Sequence, residues 1–419
     1  MFNTIFLSPI KSLYILICLI PLTLLSGPFL PDLIITLMSI ILIYRSIAEK
    51  DFYLFQNRIF KFFFVYWILI IFCSLVSEYK INSLQSSLPY LRFLIFSLAV
   101  CYIFSKDKTL LKNFTIILVL VYTLALINGF YQYFLGYNFF GISPSSPNRL
   151  TLIFDDRMLL GAFLSRTFPL LIGLIIYTYK DNIKKYLLLF FLIISSDILV
   201  YLSGERTALG LLLLSTLLFI IFINKFRILR LATLIISIFC ISIISLNNNN
   251  IKHRNIDYTL NQLGLYSESE SINIFSPNHD KLIKSSISMF LDSPIFGVGP
   301  NNFRIKCVNV KFDKGFCSTH PHNMFVQILA ELGVLGLIFY MIALTYIIYF
   351  FLRLILMKIS KKITKVSDYQ ICLMICFTIT LFPLYPSMNI FNNWINVLYF
   401  MPLGFYMASF NYNDGKIIL

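Results

Sequence analysis

Two of the chain's four histidines stand in one short segment, Cys317-Ser-Thr-His320-Pro-His322-Asn323. The segment opens a long apolar run, residues 324–351, that carries Gln327 and Glu331. Asn323, Gln327 and Glu331 recur every fourth residue, so they share one face of a helix. A helix in lipid does not keep a polar stripe without a use for it. Ser318 or Thr319 is placed to cap that helix and Pro321 suits its first turn. His322 then sits at a helix N-terminus, where the dipole disfavours imidazolium and keeps the ring available as a base. The plainer alternative is an interfacial histidine bonded to a backbone carbonyl.

Arg206 is the second candidate. It lies in the tight turn Ser203-Gly-Glu205-Arg206-Thr207 between two apolar runs. A guanidinium at that depth needs an anion. Glu205 or Glu331 could provide one within the chain. A phosphate gripped in a bidentate fashion could provide one from outside. Arg149, Arg157, His279, Lys281 and Lys284 add cations to the same expected side, which suits a polyanionic lipid substrate. Arg92 and Arg166, within or near apolar runs, read as side chains snorkelling to head groups.

Other chemistries find little support. Asp155 and Asp156 are adjacent and point to opposite sides of an extended chain, so they make no cage by themselves. No Cys/His spacing fits zinc and there is no P-loop, so neither metal nor cofactor is expected. Phe296-Gly-Val-Gly-Pro300 lacks the third glycine and the flanking strand and helix of a dinucleotide fingerprint.

The elements that must position these residues are membrane helices. The chain of 419 residues is 58% hydrophobic and only 13% charged, about half the charge of a soluble protein. Apolar runs occur at 10–26, 29–44, 59–76, 88–104, 114–134, 158–179, 186–202, 209–223, 231–246, 324–351, 370–386 and 394–410, about twelve spans in all. The first is expected to be a retained span rather than a signal peptide. The net charge of +15 comes largely from every second loop, at Arg45 to Arg58, Lys106 to Lys112, Lys180 to Lys185, Lys225 to Arg230 and Arg353 to Lys365. That positive-inside pattern places those loops and both termini in the cytoplasm and argues against nucleic acid as partner.

The fold class expected is therefore all-α integral membrane. Residues 1–246 form an N-terminal bundle, 247–322 a large periplasmic loop with short helices, and 323–419 the last spans. The loop opens on an Asn run read as loosely held, and a short helix is expected over 281–291, stopped by Asp292-Ser-Pro294. Cys307 and Cys317 flank a short polar stretch, residues 308–316. In an oxidising compartment such as a bacterial periplasm they are expected to pair. The other six cysteines lie in apolar runs and read as buried thiols.

Three stretches together resemble the O-antigen ligase / O-antigen polymerase superfamily. They are Ser203-Gly-Glu-Arg206-Thr-Ala, then Met289-Phe-Leu-Asp-Ser-Pro-Ile-Phe-Gly-Val-Gly-Pro-Asn-Asn-Phe303, then His320-Pro-His-Asn-Met-Phe-Val-Gln-Ile-Leu-Ala-Glu-Leu-Gly333. A weaker similarity covers 149–164. The resemblance implies a glycosyltransferase of about twelve spans, class C-like, in the bacterial inner membrane with its site facing the periplasm. It implies inverting, metal-independent transfer of a glycan from undecaprenyl pyrophosphate to the lipid A-core of lipopolysaccharide. It puts the base on His322 and the pyrophosphate on Arg206; beside these, His320, Asn323 and Glu331 are expected to support the base and Arg149 to help hold the donor. Where the family has a second arginine this chain has His279, with Lys281 and Lys284 close by, so these are expected to share its task. An O-antigen polymerase, joining lipid-linked repeats, is the nearest alternative, followed by a protein O-glycosyltransferase. A transporter or flippase has the same number of spans but more often shows internal repeats and broken helices at the midplane. A monomer is expected.

Overall fold

The computed structural model describes residues 9–144, 146, 149–153, 157–262, 275–361 and 366–410, and every regular element in them is helical. In chain order these are α1 (Pro9–Thr23), α2 (Phe29–Ala48), α3 (Arg58–Val76), α4 (Lys80–Ser87), α5 (Leu91–Lys106), α6 (Lys108–Leu135), α7 (Leu160–Thr178), α8 (Ile183–Leu202) and α9 (Arg206–Phe222). They continue with α10 (Arg227–Asn247), α11 (Asn249–Lys252), α12 (Tyr258–Gln262), α13 (Pro277–Asp292), α14 (Phe303–Lys306), α15 (Met324–Ile359), α16 (Asp368–Leu381) and α17 (Asn393–Ala408).

Each of the twelve apolar runs is a helix. Among the described residues nine helices are long and apolar enough to cross a membrane. Those at the eighth, eleventh and twelfth runs are shorter, at 17, 14 and 16 residues. The chain is an integral membrane protein by the way it distributes apolar surface. The window in α7 is 89% buried inside the protein, whereas the more apolar windows in α3 and α10 are only 22% buried. In water the most apolar helices would be the most hidden; here they face outward, which only a lipid surround makes favourable.

The centre of the bundle is α7, buried at every residue from Leu160 to Ile175, and α5, buried from Phe93 to Phe104. A helix apolar on all sides needs neighbours on all sides. α16 and α17 supply them: Gly173 of α7 lets Cys372 approach, and Gly404 of α17 lets Val100 approach. Aromatic stacking continues the contact, with Phe104 and Phe405 at 4.9 Å and Phe93 and Phe400 at 5.8 Å.

Two expectations need correction. The Asn run is ordered: Asn247 ends α10, and the Asn248 side chain accepts from the Ile251 N–H to start α11. Asn255, also buried, donates to the Tyr201 carbonyl. Arg92 and Arg166 are spent inside the protein. Arg92 pairs with Asp32 at 2.7 Å and donates to Asn393, while Arg166 donates to the Ala162 carbonyl and bonds Tyr399. Asp155 and Asp156 lie outside the described residues.

The tenth run is broken at Gly333, which has φ 63 and ψ −159 inside α15. The break exchanges partners with the Phe296-Gly-Val-Gly-Pro300 turn. Val334 N–H, which in a continuous helix would donate to Ala330, donates to the Pro294 carbonyl at 2.9 Å. The freed carbonyls of Ala330 and Glu331 accept from Val298 and Gly299 at 2.9 and 3.0 Å. A Cβ on Gly333 would lie 2.4 Å from the Ile295 carbonyl oxygen, and one on Gly297 2.3 Å from the Glu331 backbone. Both glycines are therefore required by backbone-on-backbone contact. The exchange fixes residues 324–332 as a short buried arm below the histidine segment.

Candidate active site

The polar stripe on that arm is scaffold. Asn323 is the N-cap of α15: its side-chain oxygen accepts from Val326 N–H and its amide donates to the Pro383 carbonyl at 2.7 Å. Gln327 donates to Glu331 and to Asn389, and accepts from Ile390 N–H. Glu331 accepts from Phe303 N–H at 3.0 Å. The stripe thus ties the α16–α17 connection and α14 to α15, and every one of these groups is buried and satisfied. Neither Asn323 nor Glu331 bonds the His322 ring, and Glu331 is no partner for Arg206.

Cap positions also differ from expectation. Ser318 and Thr319 do not cap α15, because the nearer Asn323 does so. His322 stands just outside the helix at φ 54, a left-handed conformation seldom held by a side chain of that size. Its carbonyl accepts from Ser387 N–H at 2.8 Å. Ser387 also accepts from His320 Nε2 at 3.3 Å, so one residue of the α16–α17 connection clamps both histidines. Ser387 left no signal in the sequence.

Three histidines meet here. The rings of His320 and His322 are 4.0 Å apart, and those of His279 and His322 are 5.5 Å apart. His279 lies in the first turn of α13, which begins four residues earlier than the sequence suggested, at Pro277. Its Nδ1 is 3.0 Å from Ser276 Oγ. Burial, then the charge of His322, holds the His320 imidazole down to about 3. Burial, then His279, holds His322 down to about 4. Burial and the Arg206 charge lower His279. All three rings are therefore neutral at pH 7. Their roles differ by hydrogen bonding. A carbonyl can only accept, so His320 carries its proton on Nε2 toward Ser387, and its Nδ1 accepts from Thr319 Oγ1 at 3.1 Å. Both its nitrogens are committed. His322 makes one ring contact of this kind, from Nε2 to Ser318 Oγ at 3.2 Å, and among the described residues its Nδ1 has no hydrogen-bond partner.

The cations gather near His279, which feels the charge of Arg206. Arg206 begins α9, with its guanidinium 4.5 Å above the Tyr258 ring and donating to Gln262. Arg254 donates to the Gly204 carbonyl and feels the charges of Arg149 and Arg206. Arg149 donates to the Met158 carbonyl, and its buried Nε is unpaired among the described residues. Glu205, a carboxylate close to Arg149 and Arg254, is hydrogen-bonded elsewhere: it accepts from Gly161 and Ala162 N–H at the start of α7. Burial pushes it up to about 7 against the charge of Arg149, so near pH 7 it is a partial countercharge that makes no direct ion pair with the arginines. Among the described residues none of the three arginines makes an ion pair.

Two expected cations are not in this group. Lys284 is 63% exposed and pairs with Asp280, and Lys281 Nζ lies beside Gly315. Arg254 takes the place expected for them. Its signal in the sequence is a third basic residue in the run Lys252-His253-Arg254, just after the asparagines. Cys307 and Cys317 form a disulfide with Cα atoms 5.6 Å apart, closing the loop that leads into Ser318.

No curated protein matches the chain. Residues 187–341 match the O-antigen ligase family, a stretch running from α8 into α15 that carries Arg206, Arg254, His279, His320 and His322 and leaves Arg149 outside. Over that stretch the chain is similar to the O-antigen ligases, and the likeness implies a glycosyltransferase-like membrane enzyme of the ligase and polymerase type.

Proposed function

We propose that the protein is an O-antigen ligase of the bacterial inner membrane. It takes a glycan from undecaprenyl pyrophosphate and passes it to the lipid A-core of lipopolysaccharide on the periplasmic face. The observation that carries the reading is a histidine whose Nδ1 is uncommitted among the described residues, linked through His279 to arginines that make no ion pair among those residues.

In this reading Arg206, Arg254 and Arg149 hold the pyrophosphate and stabilise the charge that builds on it as the glycosyl bond breaks. His279 lies between them and His322. His322 removes the proton from the acceptor hydroxyl as that oxygen attacks the anomeric carbon from the opposite face, which inverts configuration. A ring held down to about 4 is a weak base by itself. A pyrophosphate bound nearby adds negative charge, and an opposite charge favours imidazolium, so the base strengthens when the donor is in place. His320, Asn323 and Glu331 act as supports.

The test is transfer from lipid-pyrophosphate-linked glycan to lipid A-core by purified protein in detergent, with His322→Ala beside it. Turnover of the native protein and its loss in the variant are expected. A deletion strain should lack all capped core on a lipopolysaccharide gel. Core bearing a single repeat would instead identify a polymerase.

A further inference from the structure

The Ser318 hydroxyl faces the ring of His322 and is fixed by covalent and backbone constraints rather than by its own helix. Ser318 follows Cys317 directly, and its carbonyl oxygen lies 3.5 Å from Cys307 Sγ, so the disulfide loop sets its position. Four residues on, the left-handed backbone of His322 and its bond to Ser387 N–H turn the ring back toward it. The result is the 3.2 Å contact between Ser318 Oγ and His322 Nε2.

We propose that Ser318 is a positioning residue for His322: its Oγ accepts the Nε2–H of the neutral ring and leaves the Nδ1 lone pair as the proton acceptor in glycan transfer. The inference rests on the proposed function, since it assigns the direction of the bond from what the base must do. A serine hydroxyl can donate or accept. If it donated to Nε2, the ring proton would sit on Nδ1, and the ring would present N–H where the acceptor hydroxyl needs a lone pair. His320 cannot take over, because Ser387 and Thr319 occupy both its nitrogens.

The step then balances. The acceptor hydroxyl oxygen bonds the anomeric carbon, the bond from that carbon to the pyrophosphate oxygen breaks, and the pyrophosphate leaves with the electron pair. The hydroxyl proton goes to Nδ1. The imidazolium keeps its Nε2–H on Ser318 Oγ and later returns the Nδ1 proton to water. A third group that orients a catalytic base is a recurring arrangement, and here a hydroxyl fills the part.

The chain has only four histidines, so ¹⁵N-histidine labelling of the full protein in detergent gives few signals, assignable with single His→Gln variants. In the native protein His322 is expected to show a protonated Nε2 and a bare Nδ1. Ser318→Ala should blur that pattern and lower kcat by roughly 2- to 13-fold, the value of one neutral hydrogen bond, while leaving KM for the donor unchanged. Ser318→Thr keeps the hydroxyl and should restore both. A native His322 with a bare Nε2 and a protonated Nδ1 overturns the proposal, as does a Ser318→Ala protein identical to native in spectrum and kcat. Should Ser318→Ala fail to fold, the native spectrum alone decides. His322→Ala separates the two ideas: if it is inactive while native Nε2 is bare, the base assignment stands and the Ser318 role falls.

Discussion

Three arginines at one end of the bundle are held differently from the cations that close helix termini at the other. At the end formed by the basic loops, Arg45 pairs with Asp51 and Glu49 and lies 4.4 Å over the Tyr102 ring. Lys185 donates to the Ile176 and Tyr179 carbonyls and to Asp181. Lys358 donates to the Ile221 and Phe222 carbonyls. The two lysines satisfy carbonyls that α7 and α9 leave open at their C-termini. At the opposite end Arg149, Arg206 and Arg254 have carbonyls, an amide and an aromatic ring for company and no ion pair among the described residues. Holding like charges together with no carboxylate in direct contact costs free energy. The first set of cations is spent on folding. In the proposed reading the second remains available for an anion brought from outside, a distinction that net charge alone does not draw.

The comparison breaks first at His322. His322→Ala should reduce turnover by about 10²–10⁴-fold, the usual value of general base catalysis, while donor remains bound. Near-native turnover in that variant would end the assignment. The pH profile sharpens the same point. The acid limb of kcat/KM reports the free protein and should fall as pH drops through about 4. The acid limb of kcat reports the complex, and the bound anion should lift it by about 1–3 pH units. Acid limbs that coincide would mean that the donor does not charge the base.

Arg206 comes next. Arg206→Ala should weaken donor binding by roughly 10- to 100-fold, as expected for one charge-assisted contact. Arg206→Lys should recover part of that, since it keeps the charge and loses the fork. Lys185→Ala at the other end should show the reverse. Removing three donated bonds from a buried ammonium should lower Tm, by about 1–3 kcal/mol of stability, with the specific activity of the folded fraction unchanged. Loss of donor affinity in Lys185→Ala would erase the distinction between the two ends.

How legible all this was depends on the range of the interactions. The twelve helices follow from runs of Leu, Ile and Phe, a local signal that lipid enforces. His322 and Arg206 stand out because polar groups beside apolar runs need a reason. The Ser387 clamp and the exchange between Gly297 and Gly333 were not legible, since backbone bonds between segments far apart in sequence leave no period to read. Asn323 and Glu331 show the converse. Their four-residue spacing with Gln327 was visible, but the spacing fixes a shared face and not what that face meets. It meets α14 and the α16–α17 connection, not the imidazole.

The finest discrimination lies within α13, where His279 and Lys284 are five residues apart and were expected to share one task. His279 has its ring against His322, whereas Lys284 faces solvent and holds Asp280 four residues back. An exposed pair of that kind is worth about 0.2–0.5 kcal/mol to a helix and is screened by salt. Lys284→Ala should therefore leave donor binding and turnover at native values and Tm nearly so. His279→Ala should weaken the donor modestly, because the arginines still carry most of the charge. Both variants would be assayed together in the detergent transfer reaction at low and at physiological salt. If Lys284→Ala lost as much activity as His279→Ala at physiological salt, an exposed, paired ammonium would matter as much as a half-buried imidazole set against His322. Pairing would then no longer mark which cations at this end serve the donor.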